Sequence, residues 1–222
     1  MLPKIIQHIL VTVDNVIFTT VNDQLQVLLV KRGIAPFKDS RALPWGFVKE
    51  HETLEDAAHR DLANKTNVKN IYLEQLYTFS DLHRDPRGRV ISAAYMSLIA
   101  REHILIKPGD YVTEAKFFSI KSLPKLAFDH KIIIQYAMQR LRWKFEYSNV
   151  AQYILPKKFT LSELQKVYEM VLEQHIDVRN FRKKIDKLGI IRPTGEKEIG
   201  VKYRPAQLFE FVDKKFKIVE MI

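Results

Sequence analysis

The sequence predicts an α+β protein in two parts, and three observations carry that expectation. Residues 1–150 alternate strand-like runs rich in Val, Ile, Leu, Tyr and Thr with Asn, Asp, Gly and Pro punctuation, interrupted by one well-patterned helix. Residues 151–222 change grammar to two closely spaced amphipathic helices and a glycine-punctuated hairpin. The net charge of +10 is uneven: residues 1–155 and 156–222 contribute +5 each, so positive charge is more than twice as dense in the shorter part.

Taken in order, strands are expected over 5–13, 16–20, 25–30, 71–79 and 90–99. A helix is expected over 53–66, with Thr53 as N-cap, Asp56 three positions on, and Leu54, Ala57, Ala58 and Leu62 at helical spacing. Asn67 is placed to end it in a left-handed conformation. A second helix, 129–143, turns Ile132, Ile133, Ala137 and Leu141 to its buried side. The helix over 160–174 opens on a Thr160/Glu163 capping box and aligns Leu161, Leu164, Val167, Tyr168, Val171 and Leu172. After a turn at 174–177, the helix 177–188 has Asp177 as N-cap, Gly189 beyond its end, and a stripe of Val178, Phe181, Ile185 and Leu188. A hairpin over 190–211 follows, with Gly195 and Gly200 in its connection.

Composition excludes several classes. Without cysteine there is no disulfide scaffold, thiolate zinc site or cysteine nucleophile. No apolar run approaches the ~20 residues of a membrane span, and the first ten residues lack a secretory pattern, so a cytoplasmic protein is expected. The seven histidines show no metal-ligand spacing, and His83 and His130 read as structural. No metal and no cofactor is expected.

Off its apolar stripe, the helix 177–188 carries Arg179, Asn180, Arg182, Lys183, Lys184 and Lys187, with Asp186 as the opposing acid. A helix docked by one narrow stripe, with Arg, Lys and Asn outward, suits the major groove: cations neutralise phosphates, while Arg and Asn pair bidentately with guanine and adenine. The capped preceding helix and short turn make a helix-turn-helix. The hairpin then reads as a wing, with Lys202 and Arg204 reaching the flanking backbone. The bland alternative is a solvated charged face.

Residues 46–68 run GFVKEHETLEDAAHRDLANKTNV. They resemble the Nudix box, G-x5-E-x7-R-E-U-x-E-E-x-G-U with U a bulky apolar residue. Gly46, Glu52, Arg60, Leu62 and Val68 fall on their positions. The later glutamates are replaced by Asp61, Asn64 and Lys65, and the last glycine by Asn67. The resemblance implies a family that cleaves nucleoside diphosphate derivatives with divalent ions held by those glutamates. Positions 61, 64 and 65 share one helix face. One carboxylate and one ammonium there hold magnesium poorly, so catalytic residues are expected to be absent and hydrolysis lost.

A degenerate Nudix domain joined to a basic winged helix resembles the Nudix-related transcriptional regulators (the NrtR family). The segments FSDLHRDPRGRVISAAYMSLI, LPKLAFDHKIII, LPKKFTLSELQKVYE, RNFRKKI and YRPAQLFEF carry that resemblance, and Trp45 departs from the more usual glycine. It implies a homodimeric repressor of double-stranded operator DNA. Residues 1–150 would sense ADP-ribose, a related NAD metabolite or a sugar, and 151–222 would bind DNA. The candidate ligand contacts are Lys31, Arg32, Arg84, Arg87 and Arg89 for phosphate oxygens, with Trp45 and Phe79 for stacking. Arg87 and Arg89 have an alternative reading as parts of a loop shaped by Pro86 and Gly88. The competing classes are an active ADP-ribose pyrophosphatase with a basic extension, and an RNA-binding module.

Overall fold

The computed structural model describes residues 9–66, 72–103, 111–213 and 215–221. The chain divides into two compact units: Met1–Ile17, Val27–Ser97 and Leu105–Ala137 form the first, and Phe18–Gln26, Leu98–Ile104 and Met138–Ile222 the second.

The first unit is built on a seven-stranded sheet. Its strands are β1 (Leu10–Val21), β2 (Gln24–Arg32), β3 (Arg41–Ala42), β4 (Trp45–Phe47), β5 (Tyr72–Phe79), β6 (Val90–Leu98) and β7 (Val112–Ser119). The order is β3-β2-β1-β6-β5, with β4 antiparallel on β1 and β7 paired to β2. Central β1 is buried along almost its whole length, as a strand covered on both faces must be. It is one strand, not the two expected on either side of Asp14 and Asn15. The polar pair stays inside because both residues are bonded: Asn15 donates to the Ala58 carbonyl at 3.3 Å and Asp14 accepts from Ser92 and Arg84. Asn22 and Asp23, both with positive φ (51° and 55°), make the two-residue turn into β2. Strand β7 was not expected. The expected strand starts at residues 5 and 71, the Asn67 terminator and Val68 lie outside the described residues.

Helix α1 (Leu54–Thr66) begins as predicted: the Asp56 N–H donates to Thr53 Oγ1, and the Thr53 N–H donates back to Asp56, both at 3.1 Å. Its Ala57 and Ala58 pack on Val13, Ala93 and Tyr95. Helix α2 (His130–Tyr147) runs a turn longer than expected. Ile133, Ala137 and Leu141 are buried, but Ile132 is 58% exposed; Ile134, Met138 and Phe145 complete the covered face instead.

In the second unit, α3 (Leu161–Leu172) carries the full Thr160/Glu163 capping box. Glu173 takes the left-handed conformation that ends α3 (φ 54°), and α4 (Val178–Leu188) follows with Asp177 capping the Asn180 N–H and Gly189 ending it at φ 58°. Strands β8 (Ile191–Lys197) and β9 (Gln207–Phe211) form the antiparallel hairpin. Gly195 lies inside β8 rather than in the connection. The register slips between Pro193 and Lys197, where the three residues Thr194, Gly195 and Glu196 face the single Leu208, and Gly195 absorbs the irregularity at φ 81°.

Phe181 and Ile185 anchor α4, with Phe181 5.5 Å from the ring of Tyr168, which in turn lies 5.0 Å from Phe145. The Tyr168 hydroxyl is fully buried with no hydrogen-bond partner among the described residues, and burial pushes its pKa up. Tyr168→Phe should therefore keep or raise stability, by about 1 kcal/mol. Urea unfolding followed by Trp143 fluorescence measures this, and a loss of stability would mean that the hydroxyl has a partner.

Candidate ligand cleft and nucleic-acid interface

The box wraps the start of α1 around Arg60. Its guanidinium donates to both Glu52 oxygens at 2.9 and 2.7 Å, to Asp61 at 2.8 Å and to the Phe47 carbonyl at 2.9 Å. The hydrogen bonds from Arg60 hold the Glu52 carboxyl down to about 2. Asp61 is buried and lies so close to Gly46 that a Cβ there would sit 1.2 Å from its Oδ2, which is why position 46 needs glycine. The Asn64 side chain is exposed. Among the described residues no three His, Asp or Glu side chains converge as a metal site.

Beside the box, β2, β4 and the segment before α2 stack aromatic rings and guanidinium groups. Arg32, 1% exposed, lies with its guanidinium 4.6 Å from the Trp45 ring and 4.8 Å from Phe128. Burial, then the neighbouring Arg87 cation, pull its pKa down to about 10. Arg87 lies 5.5 Å from Trp45, 5.1 Å from Phe47 and 5.6 Å from Phe128, and grips Asp85 through two donors at 3.0 and 2.6 Å. Arg84 is buried and held by Asp129 at 2.9 Å through two donors and by Asp14 at 3.1 Å. His130 accepts the Leu43 N–H on Nδ1 at 2.9 Å, which leaves Nε2 facing Asp14 at 3.3 Å. An adjoining hollow of about 580 Å³ is lined by Phe37, Phe79, His83, Arg84, Phe128 and Asp129, among others.

Four of the seven proposed ligand contacts, Arg32, Trp45, Arg84 and Arg87, thus meet around Phe128, and Phe79 lines the adjoining hollow. The other two turn to their own partners. Lys31 pairs with Asp39 at 3.1 Å, and Arg89 donates to the carbonyls of Ser80 and Asp81 at 2.7 and 3.1 Å, closing the loop before β6. Sequence reasoning missed Phe128, Phe47 and the three aspartates that hold the arginines. The segment LAFDH offered a signal, an aromatic and an acid at the start of a helix.

On α4, Arg179, Asn180, Arg182, Lys183 and Lys187 are exposed and Lys184 is half-buried. None of the five cations forms a salt bridge with a described residue, whereas other cations of the same unit do: Arg142 with Glu173 at 2.6 Å, Lys158 with Glu196 at 2.5 Å and Arg192 with Glu210 at 2.8 Å. The helix therefore offers an uncompensated cationic face on a rigidly capped and anchored element. Lys202 and Arg204 stand exposed on the hairpin loop. Among the described residues no helix is long and apolar enough to cross a membrane.

Comparison with known proteins identifies both parts. A family model for the NUDIX domain matches residues 11–137, and one for the NrtR DNA-binding winged helix domain matches residues 151–211. The ADPR-responsive transcriptional repressor NtrR of Acinetobacter baylyi is 35% identical over 219 residues, covering 96% of this chain and 87% of that protein. The structure of Shewanella oneidensis NrtR complexed with a 27mer DNA superposes with a TM-score of 0.79 at 37% identity, over 90% of this chain and 93% of that one. An ADP-ribose pyrophosphatase of Methanocaldococcus jannaschii is 41% identical over 138 residues, 62% of this chain and 76% of the enzyme. Nudix domain, winged helix and full-length similarity agree: the chain belongs to the NrtR family of Nudix-related transcriptional regulators.

Proposed function

We propose that this protein is a repressor that binds operator DNA through residues 151–222 and is controlled by ADP-ribose, or a related metabolite, held by residues 1–150. The single observation that carries this reading is the α4 face, whose cations have no salt-bridge partner among the described residues and stand on an anchored helix, in a chain similar along its length to an ADPR-responsive repressor. Arg179, Asn180, Arg182, Lys183, Lys184 and Lys187 face the major groove, and Lys202 and Arg204 extend the contact onto flanking DNA. A homodimer sets two such helices about 34–36 Å apart, one turn of DNA. A reader of operator DNA works in the cytoplasm.

The effector lies over Trp45, Phe79 and Phe128, with Arg84 and Arg87 donating to its diphosphate oxygens. It can act only through different affinities for the DNA-bound and free conformations; a tenfold change in operator affinity needs about 1.4 kcal/mol of coupling. The test is a gel shift on a duplex enriched by the protein from a random library, with and without ADP-ribose. Loss of the shifted band at saturating ADP-ribose is expected, and a band that ADP-ribose leaves unchanged removes it as effector.

The domain has also given up hydrolysis on this reading. The support is Asn64 and Lys65 at two of the box's carboxylate positions and the engagement of Glu52 and Asp61 by Arg60. Incubation with ADP-ribose and manganese should release no AMP. Measurable turnover would restore the pyrophosphatase reading.

A further inference from the structure

Helix α2 is followed by Ser148 and Asn149 rather than by glycine, and a distant piece of chain closes its last turn. A helix leaves its final carbonyls without partners of its own. Here the Ser148 hydroxyl donates to the Lys144 carbonyl, and the N–H groups of Met221 and Val219 donate to the carbonyls of Glu146 and Tyr147, both at 2.8 Å. Residues 215–221 thus run back along the end of α2, with Ser148 and Ile218 paired antiparallel. Asn149, 2% exposed, ties the two together. Its N–H donates to the Lys217 carbonyl at 3.1 Å, its Oδ1 accepts the Lys217 N–H at 2.8 Å, and its Nδ2 donates to the Lys215 carbonyl at 3.0 Å. Gln152 donates to the same carbonyl at 3.2 Å, and Met221 is buried.

This strap lies at a telling place. Asn149 stands where α2 gives way to α3, and residues 215–221 come just after β9, so the chain enters and leaves the winged helix at one joint. The other end of α2 begins beside the candidate ligand cleft: Phe128 lies under Arg32 and Arg87, Asp129 holds Arg84, and His130 faces Asp14. The helix starts in the first compact unit and ends in the second. Its 18 residues span about 27 Å at 1.5 Å per residue. A ligand that engages Arg84 and Arg87 acts on the groups that seat the first turn of α2. Any displacement it causes reaches α3 and α4 only as firmly as the joint at the far end holds.

We infer that Asn149 and the strap 215–221 form the joint through which occupancy of the cleft changes operator affinity, with Asn149 as the positioning residue that makes α3 and α4 follow α2. This rests on the proposed control by ADP-ribose. Allosteric coupling is reciprocal, so a loosened joint uncouples the two ligands in both directions without abolishing the binding of either.

The test uses the full-length protein, the duplex enriched from a random library, and ADP-ribose. Anisotropy reads operator affinity with and without ADP-ribose; calorimetry reads ADP-ribose affinity with and without the duplex. In the wild type each ligand should weaken the other about tenfold or more. Asn149→Ala should bind each ligand alone within about threefold of wild type, while the mutual weakening falls below about threefold. Lys217→Pro removes the N–H that Asn149 accepts from an exposed position; it should uncouple in the same way and decides the matter if Asn149→Ala does not fold. If the folded variants keep the wild-type coupling, the inference fails while the effector reading stands. If they lose operator affinity by one factor with and without ADP-ribose, the strap merely holds the second unit together, and the inference fails again. If the wild type itself shows no coupling, the effector reading fails and the joint's role with it.

Discussion

Arg182→Ala should lower operator affinity about 5- to 150-fold without changing the melting temperature. Arg182 is exposed, three residues after Arg179 on α4, and it has no salt-bridge partner among the described residues. Its removal therefore leaves no buried partner behind. A bidentate arginine–guanine contact is worth about 1–3 kcal/mol of discrimination, and each 1.4 kcal/mol is tenfold. Arg182→Lys separates the two roles of the side chain. A lysine keeps the charge but loses the planar fork, so it should hold the salt slope of wild type and still discriminate poorly between guanine and other bases. Anisotropy titrations at several salt concentrations read both. An affinity unchanged in Arg182→Ala would remove α4 from the interface.

How legible each part was in the sequence follows from the range of the interactions that determine it. The helix pair α3–α4 was readable almost to the residue because caps and stripes are local: Thr160 with Glu163, Asp177 with the Asn180 N–H, and Gly189 at positive φ all act within a few positions. The box was readable for the same reason. The continuity of β1 was not, because Asp14 and Asn15 look like turn residues until Ser92, Arg84 and Ala58 come to them from 43 to 78 positions away. Strand β7 mixes Thr, Glu and Lys with its aromatics and earns its place by pairing with β2. The candidate ligand cleft suffered most. Arg32 and Phe128 are in contact only because the sheet folds the segment before α2 back against β2. The three aspartates that fix the arginines cannot be assigned from spacing at all. Ile132 was misplaced because the covered face of α2, which includes the expected Ile133, Ala137 and Leu141, widens on the side of Ile134 and Met138 and leaves Ile132 at its exposed edge.

Arg84→Met should destabilise the first unit by about 3–5 kcal/mol at pH 7, the cost of leaving a buried carboxylate without its partner. Asp14 is 2% exposed and accepts from Arg84 and Ser92, with His130 Nε2 at 3.3 Å. Burial alone would raise its pKa; His130, Arg84 and Ser92 outweigh it and lower the pKa from 3.8 to about 2. A carboxyl whose folded pKa lies below its unfolded one contributes stability above the unfolded value. In the wild type that contribution, about 2 kcal/mol, is complete above pH 4 and lost as the pH falls from 4 towards 2. Without Arg84 the folded pKa of Asp14 rises, so the stability it contributes shrinks and disappears at higher pH. The measurement is urea unfolding at pH 7 and at pH 3 in a Trp143→Phe background, which leaves Trp45 to report on the first unit. The gap between Arg84→Met and its parent should be wide at pH 7 and narrow at pH 3, because protonation removes the uncompensated charge. Adding Asp14→Asn to Arg84→Met removes that charge at every pH and should recover part of the loss. Equal gaps at both pH values, or a double variant no better than the single one, would mean that Arg84 holds the unit together by packing rather than by neutralising Asp14.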